Sequence, residues 1–69
     1  MIISGFTKPE LDYFRESCNF VGCEQELFEL RSRGVSLEDI AECLDYSYDG
    51  INKVSRRVNN KIKAVLRQN

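Results

Sequence analysis

An all-α domain of four helices, the last one long, is the fold this chain predicts, and three features predict it. Thr7, Ser36 and Ser47 each stand just ahead of a run with helical apolar spacing, where a hydroxyl can accept from the free N–H groups of a helix start. Apolar residues then recur at three- and four-residue intervals and do not alternate as in a strand. No strand pattern, internal repeat, low-complexity segment or linker breaks the chain, so residues 1–69 read as one domain.

The elements follow in order. Thr7, with Glu10 three residues on and Pro9 in the first turn, is a capping-box start for a helix over roughly residues 8–17. Leu11, Phe14 and Cys18 share one face of it. "CNFVG" interrupts, and a second helix runs from about Cys23 to Arg33, offering Leu27, Phe28 and Leu30 to the core. Gly34 ends it, because glycine takes positive φ at little cost.

Ser36 caps a third helix, over about residues 36–45, with Glu38 and Asp39 in the first turn where the helix dipole favours acids. Leu37, Ile40, Ala41 and Leu44 form its apolar stripe. "DYSYDG" is the next turn, and Ser47 caps a fourth helix from Tyr48 to about Leu66, roughly 28 Å long at 1.5 Å per residue. Its apolar side is Ile51, Val54, Val58, Ile62 and Val65; its opposite side is Asp49, Lys53, Arg56, Arg57, Asn60, Lys63 and Arg67. One face is core and the other is solvated and basic. Tyr13, Phe14, Phe20 and Phe28 are assigned to the core, as aromatic side chains usually bury. The far end, Ile62, Val65 and Leu66, either covers Leu11 and Phe14 or serves a homodimer contact.

At 69 residues there is room for one small core, so function is expected on a surface and not in a deep cleft. The apolar fraction of 42% and charged fraction of 30% are ordinary for a globular protein. No run of about 18 apolar residues exists to cross a membrane, and "MIISGF" lacks the features of a secretory signal, so the cytoplasm is the expected compartment. Cys18, Cys23 and Cys43 cannot all pair with one another, and there is no histidine to complete a common zinc set or to activate a thiol. They read as small, mostly buried apolar side chains. No catalytic residue, metal or cofactor is expected, and an enzyme is disfavoured.

The net charge of −1 conceals an asymmetry. Residues 1–47 carry four cations against ten acids, leaving −6; residues 48–69 carry six cations against Asp49 alone, leaving +5. Such a separation is the footprint of one element facing a polyanion.

The third and fourth patterns together have the parts of a helix-turn-helix: a bracing helix at about 36–45, a short turn, and a recognition helix at about 48–66 that enters the major groove. Small Ala41 permits close approach, and Ile40, Leu44, Tyr46, Ile51 and Val54 supply the contact. The stretch "GVSLEDIAECLDYSYDGINKVSRRVNNKI" resembles the helix-turn-helix of LuxR-type response-regulator output domains and of the C-terminal promoter-reading domain of bacterial sigma factors. The likeness rests on Gly34 and Ser36, the "EDIAECL" run, Ser47, and Ile51, Val54, Val58 and Ile62, over about residues 24–65. It implies a tetrahelical DNA-binding fold and a small transcriptional regulator of bacterial or phage type, binding double-stranded DNA.

Carried over by position, the resemblance implies that Tyr48, Asp49, Asn52, Lys53 and Arg56 touch bases and phosphates and that Ser36 lies near a phosphate. With Ser47 and Arg57 these make the candidate DNA-binding set. Gly50 stands where LuxR-type domains usually have Thr, a cost of roughly 1 kcal/mol in helix propensity, and Asp45 where they often have Gly. The rival reading is a protein-interaction adaptor that docks on RNA polymerase or another regulator through Glu10, Asp12, Glu16, Glu24, Glu26 and Glu29 of the acidic half.

Overall fold

The computed structural model describes residues 2–67, and among these it contains four α-helices, one 3-10 turn and no strand. The 3-10 turn is Ile3–Gly5, followed by α1 (Lys8–Ser17), α2 (Cys23–Ser32), α3 (Leu37–Cys43) and α4 (Tyr48–Arg67). α4 packs against α1, α2 and α3, and α2 also meets α3 and the 3-10 turn. Twenty residues make α4 about 30 Å long, close to the 34 Å extent of the molecule, whose other two axes are 19 Å. The other helices therefore gather on one side of a single rod.

Local chemistry sets the helix ends. At α1 the capping box is complete: the Glu10 N–H donates to Thr7 Oγ1 at 3.4 Å, and the Thr7 N–H to Glu10 Oε1 at 2.8 Å. Ser36 Oγ accepts from the Asp39 N–H at 3.2 Å, and Ser47 Oγ from the Gly50 N–H at 3.1 Å. α2 ends with the Val35 N–H reaching back to the Leu30 carbonyl and the Gly34 N–H to that of Arg31, with Gly34 at φ 84°. This is the Schellman arrangement, which needs a left-handed residue. α3 ends the same way, with Tyr46 N–H to Ala41 and Asp45 N–H to Glu42, so Asp45 holds the left-handed position at φ 58°. That early stop makes α3 seven residues, shorter than the expected span of about 36–45.

The core is one cluster. Leu27, Phe28, Ile40, Ile51, Val58 and Ile62 are fully buried, with Phe14, Val54 and Val65 beside them. Ile62 and Val65 thus belong to the core of the single chain, and Leu66 remains half exposed. Leu11, Leu30, Leu37, Leu44 and Phe20 pack against the cluster from its rim.

Two expectations are corrected. Tyr13 is 42% exposed, because it lies about 100° around α1 from Phe14, away from Leu11; its ring meets that of Phe14 at 5.8 Å. Cys43 is exposed while Cys18 is buried and Cys23 partly so. Position 43 lies off the α3 stripe set by Leu37, Ile40, Ala41 and Leu44, so burial of that thiol is not available.

Candidate nucleic-acid interface

The apolar stripe of α4 turns its other side outward along the whole helix. Ile51, Val54, Val58, Ile62 and Val65 are all buried, whereas Asp49, Lys53, Arg56, Arg57, Asn60, Lys63 and Arg67 are all exposed. The two sets are about half a turn apart, as 3.6 residues per turn requires. The result is a straight, solvent-facing band of cations.

Among the described residues none of these cations enters an ion pair. Among the described residues, the ion pairs are Arg15 with Asp12 and with Glu29, and Lys61 with Glu24. Lys53, Arg56, Arg57, Lys63 and Arg67 enter none of these. Asp49 and Lys53, four residues apart and suited to pairing, are not bridged either. Arg57 stands near enough to Glu24 and Tyr46 for its charge to act on both.

The remaining candidates are placed as follows. Ser36 and Ser47 are exposed, but each hydroxyl is engaged as a helix cap. Tyr48 is 49% exposed at the start of α4 and lines, with Glu38 and Ala41, an open hollow of about 320 Å³. Asn52 is half-buried on the flank of the helix. The first turn of α4 thus carries Asp49 and has Glu38 of α3 beside Tyr48, whereas the later turns of its exposed face carry cations.

Three polar contacts escape a reading of local sequence. Lys61 Nζ reaches Glu24 Oε1 at 2.5 Å and the Asn19 carbonyl at 3.1 Å, joining α4 to the start of α2 and to the loop before it. Glu24 is only 4% exposed and also accepts from the Val21 N–H. The hydrogen bond from Lys61 holds its carboxyl below the ordinary glutamate range, against the opposing effect of burial. Arg15 grips Glu29 with two nitrogens at 2.6 and 2.7 Å and holds that carboxyl low as well. Its guanidinium also sits 5.9 Å from the centre of the Phe28 ring. The Tyr46 hydroxyl donates to Cys23 Sγ at 3.4 Å, which pushes the phenol pKa up.

These contacts change the account of the acidic half. Of the six acids there, Glu10 caps its own helix, Asp12 and Glu29 hold Arg15, and Glu24 is sealed under Lys61. They serve the fold. Lys61, about 100° around α4 from Asn60, is a cross-helix tie and not part of the basic band.

Among the described residues no group of three His, Cys, Asp or Glu side chains is placed to hold a metal ion. No helix among them is long and apolar enough to cross a membrane. No protein-family model, curated protein sequence or solved structure matches the chain.

Proposed function

We propose that the protein binds double-stranded DNA through the exposed face of α4, with α3, the loop 44–47 and α4 acting as a helix-turn-helix in a small transcriptional regulator. The observation that carries this reading is the exposed band of Lys53, Arg56, Arg57, Lys63 and Arg67, which enters no ion pair among the described residues, set against an otherwise acidic chain whose Arg15 and Lys61 are committed to internal ion pairs. Keeping like charges together on one helix face costs self-repulsion, and a polyanion relieves it by releasing condensed counterions. α3 contributes support: Ile40 and Ala41 are buried, and it packs on α4. The mechanism is association without covalent chemistry.

The adaptor alternative draws less support from the structure, since four of its six acids are used inside the fold. Salt dependence separates the two readings. Fluorescence anisotropy with a labelled random-sequence duplex should show affinity falling with salt at a log–log slope of about −3 or steeper, on the basis of roughly −0.9 per phosphate contact. The Arg56→Glu, Arg57→Glu variant replaces two exposed residues, so its helical circular dichroism should be unchanged while binding is lost. Failure of the wild-type chain to bind duplex even at low salt would refute the reading.

A further inference from the structure

We propose that α4 meets the DNA bases through its middle turns and not its first: Asn60 and Ala64 read an A·T pair, and Lys63 and Arg67 grip the phosphate backbone beside it. This rests on the duplex-binding reading above and adds the register of the helix on its target.

Asn60 lies at the centre of the basic band. At 100° per residue, Lys53 and Arg57 fall within about 60° of it on one side, and Arg56, Lys63 and Arg67 within about 60° on the other. All six residues are exposed. Ala64, one turn beyond Asn60, is the other uncharged residue in this sector and is exposed as well. Asn60 on the midline and Ala64 about 40° from it are short, while Arg56, Arg57 and Lys63 within one turn of Asn60 are long, so the helix backbone can sink toward the groove floor there while the cations reach out to the walls. The band from Lys53 to Arg67 covers fourteen residue steps, about 21 Å, which exceeds the roughly 12 Å width of the major groove. Its ends must then lie against phosphates.

The first turn is poorly suited to that position. It carries Asp49, and Tyr48 shares its hollow with Glu38 of α3. Asn52, the alternative amide, is half-buried and lies about 80° around the helix from Asn60. An asparagine that can face the groove squarely donates to adenine N7 and accepts from adenine N6 in one planar pair, and an alanine methyl suits the thymine methyl of the same base pair.

The competing account of Lys63 and Arg67 is that they only complement the negative end of the helix dipole. Binding measurements distinguish the two. The full-length chain is used to select duplexes from a random pool, and affinities for the selected site and its single-pair changes are compared among wild type, Asn60→Ala and Asn52→Ala. We expect Asn60→Ala to lose roughly 5- to 150-fold discrimination at one A·T position, with Asn52→Ala retaining it. The Lys63→Gln, Arg67→Gln variant should weaken binding to all duplexes alike, with a salt slope shallower by about 1.8.

Discrimination lost in Asn52→Ala and kept in Asn60→Ala would overturn the register. So would an unchanged salt slope in the double glutamine variant, or wild-type binding with no sequence preference. Each of these leaves duplex binding itself standing. Absence of wild-type binding at low salt defeats the parent reading first and this inference with it. Asn60, Lys63 and Arg67 are exposed and Asn52 is half-buried, and circular dichroism on each variant verifies that the fold is retained.

Discussion

At the residue scale, the chain places an aspartate where a glycine would be cheaper. Asp45 closes the α3 Schellman turn at φ 58°, in the left-handed region that costs an L-residue, and its carboxylate lies by the negative end of the α3 dipole. Asp45→Gly removes both penalties, while the freer unfolded chain takes back part of the gain. The net expectation is a stabilisation of about 0.5–1 kcal/mol, read from the urea midpoint; a destabilised variant would mean that the Asp45 side chain contributes more than the turn geometry reveals. Cys18, Cys23 and Cys43 show the same dependence on position. Three identical side chains run from buried to exposed, and burial pushes the Cys18 thiol up.

At the element scale, the start of α4 is a small conflict between a cap and a helix interior. A Cβ added at Gly50 would stand 3.1 Å from Ser47 Oγ, the atom that accepts the Gly50 N–H. Glycine in a helix costs roughly 1 kcal/mol relative to alanine, and a serine cap contributes about as much. The absence of a threonine here is thus not only a propensity loss; it leaves the cap undisturbed. In a double-mutant cycle, Gly50→Ala should give little net change in wild type but stabilise by about 0.8 kcal/mol in a Ser47→Ala background. Equal effects in both backgrounds would show that the hydroxyl and the added methyl do not compete.

At the scale of the whole molecule, two ion pairs tie helices that sequence places far apart: Arg15 to Glu29, and Lys61 to Glu24. Both glutamates are held below the ordinary value near 4.5 by hydrogen bonds from their cations. A depressed acid favours the folded state above its unfolded pKa, and that contribution fades as pH falls through the folded value. The urea midpoint should therefore be flat around neutral pH and decline below about pH 4.5. Glu24→Gln should be the less stable protein at pH 7, with its curve converging on wild type in acid. A constant gap between the two curves down to pH 2 would rule out ionised Glu24 as a source of that stability.

The sequence by itself determined the four helices and the two faces of α4. Caps such as Thr7–Glu10 and Ser36–Asp39 act over three residues, and a stripe such as Ile51, Val54, Val58, Ile62 and Val65 is a property of one helix, so both can be read in a short window. The basic band was legible for the same reason, down to each exposed cation. The candidate base-reading positions were less so: helix periodicity sets Asn60 opposite the apolar stripe and Asn52 about 80° away on the flank, where packing against neighbouring helices decides that it is half-buried. Tertiary structure alone decided that Lys61 would pair with Glu24, 37 residues away, and that Tyr46 would reach Cys23, 23 residues away. Such contacts depend on which flanks meet when the helices dock, and that is settled by the shape of the shared core and the need of a buried carboxylate for a partner.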